Sequence, residues 1–172
     1  GACSLEAWIK PAATDGLRNI VAHGYAASPA GEVYLRIANG QYQVGSWDGA
    51  AYTGLIGYIA AGRRDGGWDG AGIITSMPAA IDPSTLTTLG IAPARDVANF
   101  SGAQTALWMG QTVDASSVLV KYTRAGDANL DGHISGDDYD VLDSSFSQAL
   151  QGYWRGDFNY DGVINGDDYA LI

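Results

Sequence analysis

The feature that most constrains this chain is a fourteen-residue segment that occurs twice, thirty residues apart. GDANLDGHISGDDY (126–139) and GDFNYDGVINGDDY (156–169) agree at ten of fourteen positions. Each reads D-x-N-x-D-G-x-I-x-G-D-D, so oxygen-bearing side chains recur at alternating positions of one short loop. A hard cation such as Ca²⁺ takes about six to eight oxygen ligands, and alternating carboxylates and amide carbonyls are a way for one loop to supply them. In the first loop Asp127, Asn129 and Asp131 stand at positions one, three and five, and Gly132 makes the sharp turn. His133 would offer its backbone carbonyl, Ser135 sits where a ligand often acts through water, and Asp138 closes the shell at position twelve. The second loop repeats the set with Asp157, Asn159, Asp161, Gly162, the Val163 carbonyl, Asn165 and Asp168. Ile134 and Ile164 are the apolar plugs. The expectation is two calcium ions.

Charge sharpens this reading. The chain carries a net −10, yet residues 1–125 hold nine acids and eight bases, whereas residues 126–172 hold ten acids and one base, Arg155. Packed this closely without a cation, those acids repel one another, and two Ca²⁺ would take the segment from −9 to −5. The acidic balance argues against a nucleic-acid partner, which needs clustered Lys and Arg. No apolar run approaches the roughly 18 residues that span a bilayer.

The first 123 residues read as a mainly β domain, a sandwich or jelly roll, followed over 124–172 by a small α module built on the two loops. Gly, at 24 of 172, is about twice its usual share of roughly 7%, as turn-rich β proteins require. Ser4–Lys10 alternates Leu5, Ala7 and Ile9 against Glu6, Trp8 and Lys10, and Asn19–Ala22 is a short apolar run. Glu32–Ala38 alternates likewise, Asn39-Gly40 suits a tight hairpin turn, and Gln41–Trp47 is expected to return as its partner strand. Asp48-Gly49 marks the next turn. Leu55–Ala61 fits a buried strand or a short helix equally. Gly72–Ser76 and Ser117–Tyr122 are expected strands, and Pro78–Pro93 a stretch of two Pro-bounded turns.

Two resemblances follow from these residues. SLEAWIKP, RNIVAHG and VYLRIANGQY, within 4–47, resemble the opening strands of laminin-G-like, concanavalin-type domains. That resemblance implies a β-sandwich, with carbohydrate binding as one common use. The paired loops fit the EF-hand type, and with Asp at position twelve and no obvious entering helix they resemble a type I dockerin pair. The resemblance implies two Ca²⁺ and a helix after each loop. Tyr139–Leu150 supplies the first, with Tyr139, Leu142, Phe146 and Leu150 at helical spacing. Only four residues follow Asp168, so the second helix is expected to be short and an apolar face left open. Gly136-Asp137 and Gly166-Asp167 replace the hydroxyl-bearing pair with which cellulosomal dockerins meet cohesin, which argues against that partner.

Catalytic constellations are weak in the sequence. His133 lies inside a loop, His23 ends an apolar strand, and the two Glu are far apart in a chain without G-x-S-x-G or H-E-x-x-H. Trp47, Trp68 and Tyr52, beside Gly-rich turns, are candidate carbohydrate platforms. Against this, Trp8, Trp47 and Trp108 would fill a core and Trp68 cap its edge. Asn99-Phe100-Ser101 matches a glycosylation sequon, and the single Cys3 excludes an intrachain disulfide. The resulting expectation is a non-catalytic, secreted or cell-surface structural module. It would bind two Ca²⁺ and assemble with copies of itself or another extracellular protein. The alternative is a lectin-like, carbohydrate-binding module carried on its dockerin-like segment.

Overall fold

The computed structural model describes residues 22–23, 33–37, 43–81, 84–98, 100, 104–148 and 150–172. The expected strand over 4–10, Cys3, Trp8, Asn99 and most of the laminin-G-like stretch lie outside these residues.

A four-stranded antiparallel sheet has the order β1 (Ala22–His23), β2 (Val33–Ile37), β6 (Val118–Arg124), β3 (Thr87–Pro93). Between β3 and β6 run a one-turn helix, α2 (Ala94–Val97), and a hairpin of β4 (Thr105–Trp108) and β5 (Gln111–Asp114). The β4–β5 turn is Met109-Gly110, both at positive φ (50° and 78°), as a twist-matched two-residue turn requires. The β6 strand is the axis of the larger sheet. Its VLVKYTR sequence alternates as expected, and it pairs with β2 through Tyr34–Lys121 to Ile37–Val118 and with β3 through Thr87–Arg124 to Pro93–Val118. One face of the β3–β6 pair presents Leu89, Ile91, Val118 and Val120. The other presents Thr88, Gly90, Leu119, Lys121 and Thr123, and the repeated loops lie on that side.

Gly90 is what lets them close. A Cβ there would fall 2.6 Å from Leu130 Cδ2 and 2.7 Å from Tyr153 Cε1, so both side chains rest directly on the β3 backbone. The same register places Gly90 opposite Lys121, whose amino group donates to the Leu130 carbonyl at 3.0 Å.

The expectation of a mainly β sandwich is overturned. The described residues form two small antiparallel sheets, and helix outweighs strand. The hairpin partner expected at 41–47 explains part of the difference. The carbonyls of Gln43 and Val44 accept the amides of Leu55 (3.3 Å) and Ile56 (2.9 Å) at the start of α1 (Gly54–Arg63). Residues 43–46 therefore spend their hydrogen bonds on a helix end rather than a ladder. Leu55–Ala61 lies within that helix, burying Leu55, Ile56 and Ile59. No strand forms over Gly72–Ser76, while much of the stretch expected as turns, 87–93, is β3.

Beyond β6 comes α3 (Gly136–Gln148), and α4 (Gly166–Tyr169) follows the second repeat. Buried Ile56 and Ile59 of α1, Ile91, Leu119 and Val120 of the sheet, and Leu130, Leu142, Tyr153, Phe158 and Ile164 of the C-terminal stretch form one hydrophobic cluster. Tyr153 is its hinge, fully buried, stacked on Tyr160 (5.5 Å) and edge-on to Phe158 (5.2 Å). Of the expected α3 face, Leu142 is buried and Leu150 half-buried, but Tyr139 and Phe146 are exposed. Among the described residues no helix is long and apolar enough to cross a membrane.

Candidate metal centre

Each repeat folds into a loop organised by its first and last aspartates. In the first, Asp127 accepts the amides of Asp131 on Oδ1 (3.0 Å) and Gly132 on Oδ2 (2.8 Å). Asp138 accepts Ala128 (2.9 Å) and Asn129 (3.4 Å) on Oδ1 and Ser135 (2.9 Å) on Oδ2. Between them Asn129 Oδ1 accepts the Asp131 amide (2.8 Å), and Asp131 Oδ1 accepts that of His133 (2.7 Å).

The second loop reproduces the scheme bond for bond. Asp157 accepts Asp161 (3.1 Å) and Gly162 (2.8 Å), and Asp168 accepts Phe158 (2.8 Å), Asn159 (3.2 Å) and Asn165 (2.9 Å). Asn159 and Asp161 take the Asp161 and Val163 amides, each at 2.8 Å. The Asn165 side chain and Asp168 complete a capping box at the start of α4.

Backbone conformation repeats as faithfully. The chain enters the left-handed region at Gly126, Leu130 and Gly132, and at Gly156, Tyr160 and Gly162. For Leu130 (φ 61°) and Tyr160 (φ 66°) that conformation is costly, and it is held by burial of both side chains against β3. The Tyr160 hydroxyl donates to the Leu89 carbonyl.

The carboxylates that close the loops, Asp127, Asp138, Asp157 and Asp168, are fully buried. Burial pushes the Asp127 and Asp157 carboxyls above the usual range and that of Asp168 up to about 6, against the opposing pull of the hydrogen bonds they accept. Lys121 is a cation acting on Asp127. Among the described residues neither Asp157 nor Asp168 has an ion-pair partner.

Each loop is also held from outside by residues that the repeat pattern does not include. Thr123 of β6 donates its hydroxyl to Asp127 Oδ2, and Tyr52 donates to Asp157 Oδ2. The Gly152 amide donates to the Tyr52 oxygen at 2.8 Å, and an amide can only donate, so the tyrosine proton points to the carboxylate. Cations reach the loop backbones in parallel: Lys121 to the Leu130 carbonyl, and Arg63 Nη1 to the Asn159 carbonyl at 3.0 Å. Thr123 had a sequence signal, standing at the end of an alternating strand four residues before Asp127. Tyr52, 105 residues from Asp157, had none.

Of the two fates weighed for the aromatic trio, the structure places these rings in or against the core. Tyr52 (8% exposed) and Trp68 (3%) are buried, so their rings offer no platform to a ligand. Trp47 is half-buried, edge-on to Tyr52 with centroids 5.1 Å apart, and its ring lies against Gly162. The Asp48-Gly49 turn brings this about: Asp48 Oδ1 takes the Ala50 and Ala51 amides at 2.9 Å, and Trp47 bridges to Tyr52.

Carboxylates, amide oxygens and backbone carbonyls, placed around buried negative groups, are the donor chemistry of a hard divalent cation. Among the described residues no group of three or more His, Cys, Asp or Glu is gathered closely enough to hold a metal ion. The position-five aspartates are turned on their own loops, accepting the side-chain amides of Asn129 (3.3 Å) and Asn159 (2.9 Å). In donor type and in spacing along the sequence these residues match what Ca²⁺ favours, while their side chains are not gathered around one point. No family model matches the chain, and no curated protein or solved structure matches it.

Proposed function

We propose that this chain is a non-catalytic, calcium-stabilised structural module in which each repeated loop takes one Ca²⁺. The observation that carries the reading is the pair of loops sharing one hydrogen-bond scheme around buried aspartates. Asp127, Asn129, Asp131, the His133 carbonyl, Ser135 and Asp138 would hold the first ion. Asp157, Asn159, Asp161, the Val163 carbonyl, Asn165 and Asp168 would hold the second. Bound calcium supplies positive charge to carboxylates that burial disfavours, and ties loop ends to the sheet beneath them. That is a folding role. Such loops suit surroundings rich in calcium, as outside the cell, where module affinities fall near about 10⁻⁴–10⁻³ M.

The test is thermal unfolding in millimolar calcium and in chelator, with titration calorimetry for stoichiometry. Millimolar calcium at about ten times its dissociation constant adds about 1.4 kcal/mol per site, or about 3 kcal/mol for the two together. For a chain this size that raises Tm by about 5–10 °C. Asp127→Ala with Asp157→Ala should abolish the calcium-dependent rise, and should lower the chelator value as well because buried amides and the Thr123 and Tyr52 hydroxyls lose their acceptors. A wild-type chain whose Tm ignores calcium would sink the reading. Sedimentation velocity of the same samples tests the assembly expected from the sequence: larger species in calcium that dissociate in chelator support it, and monomers in both remove it.

A further inference from the structure

We propose that Tyr52 and Thr123 are positioning residues of the two calcium loops, and that Tyr52 makes calcium binding at the second loop conditional on docking of the distant segment 43–63. The inference rests on the calcium reading above and concerns how one of its sites is controlled.

The lead aspartate of each loop has two oxygens with different duties. Asp157 Oδ2 accepts both the Gly162 amide and the Tyr52 hydroxyl, while Oδ1 accepts the Asp161 amide. Asp127 is arranged in the same way, with Gly132 and Thr123 on Oδ2 and Asp131 on Oδ1. One oxygen is saturated by two donors, which fixes the carboxylate plane and leaves the other a lone pair for a cation. Partners of this kind orient ligands, and their removal typically costs about 10–100-fold in metal affinity.

The two clamps differ in origin. Thr123 belongs to the strand that runs straight into its loop, so the first clamp forms whenever β6 does. Tyr52 comes from the other end of the described chain. With it come Trp47, whose ring would meet a Gly162 Cβ at 2.5 Å, and Arg63, which donates to the Asn159 carbonyl. Three contacts thus join segment 43–63 to the second loop at its positions one, three and six. Binding free energies are reciprocal: if docking this segment strengthens calcium binding, calcium strengthens the docking by the same factor.

Calcium titration of full-length chains tests the proposal. In an Asp127→Asn background only the second loop reports, and adding Tyr52→Phe should weaken its affinity by about 10–100-fold. In an Asp157→Asn background only the first loop reports; Thr123→Val should weaken it by a similar factor, and Tyr52→Phe should leave it unchanged. A merely structural role would lower Tm in chelator without that site-selective pattern. Hydrogen exchange on the otherwise unaltered Asp127→Asn chain needs no clamp variant: calcium should slow exchange at the Ile56 and Gly57 amides by roughly ten-fold, within the usual range of coupling factors. Unchanged affinity in Tyr52→Phe, or unchanged exchange at those amides, would overturn the clamp while leaving a two-ion chain intact. Absence of calcium binding in the wild type would instead overturn the calcium reading itself.

Discussion

Gly162 shows how much a single position carries. Its φ of +84° belongs to a glycine, and the Trp47 ring occupies the space a Cβ would need. Alanine there combines a backbone cost of about 1–3 kcal/mol with displacement of the indole. Gly162→Ala should therefore lower Tm and weaken the second loop while the first binds normally. Gly166→Ala, where nothing lies within 4 Å and the backbone is helical, should be close to neutral by the same melting assay. At this scale spacing within a loop was readable: positions one and twelve of D-x-N-x-D-G-x-I-x-G-D-D are Asp127, Asp138, Asp157 and Asp168, and these four are buried. It was silent on Tyr52 because a hydrogen bond across 105 residues leaves no local trace. The Gly-rich flanks of Tyr52 signalled a turn, and that turn folds the ring inward rather than presenting it to solvent.

Among the elements, β6 and α3 were legible, one by its Val/Leu-rich run free of Gly and Pro and the other by its position after an Asn/Gly/Asp loop. β3 was not. TTLGIAP is buried from Thr88 to Pro93, so it lacks alternation, and its Gly and Pro read as turn residues. That glycine exists for the close approach of Leu130 and Tyr153. Gly90→Val should overpack the junction, at about 1–3 kcal/mol or more, and push the first loop off the sheet. The measurable result is a lower Tm together with weaker calcium binding at the first loop, a coupling that a surface substitution such as Thr112→Val in β5 would not reproduce. Likewise 43–47 alternates like a strand, yet two of its carbonyls are claimed by the α1 amides. Periodicity records which side chains can share a face, and not which backbone partner wins.

Over the whole molecule, buried residues of α1, the sheet and both loops share one core, and four of the ten acids of the last 47 residues, Asp127, Asp138, Asp157 and Asp168, are buried with it. This sets a dependence on pH that calcium should invert. A carboxyl whose native pKa stands above its unfolded value holds its proton more tightly in the folded chain, so it stabilises the fold below the unfolded value and loses that contribution as pH rises through the native one. For Asp168 the window runs from 3.8 to about 6, and Asp127 and Asp157 shift in the same direction. In chelator, Tm should fall between pH 4 and pH 7. In millimolar calcium the ion competes with those protons, so Tm should rise over the same interval, and the two curves should converge near pH 4, where protonated carboxyls no longer bind metal. Parallel curves, or a chelator curve that climbs with pH, would mean that the buried aspartates are stabilised by something other than a cation. Tyr52→Phe should narrow the gap at pH 7 and leave the convergence at low pH in place, because the clamp acts on the ionised carboxylate alone.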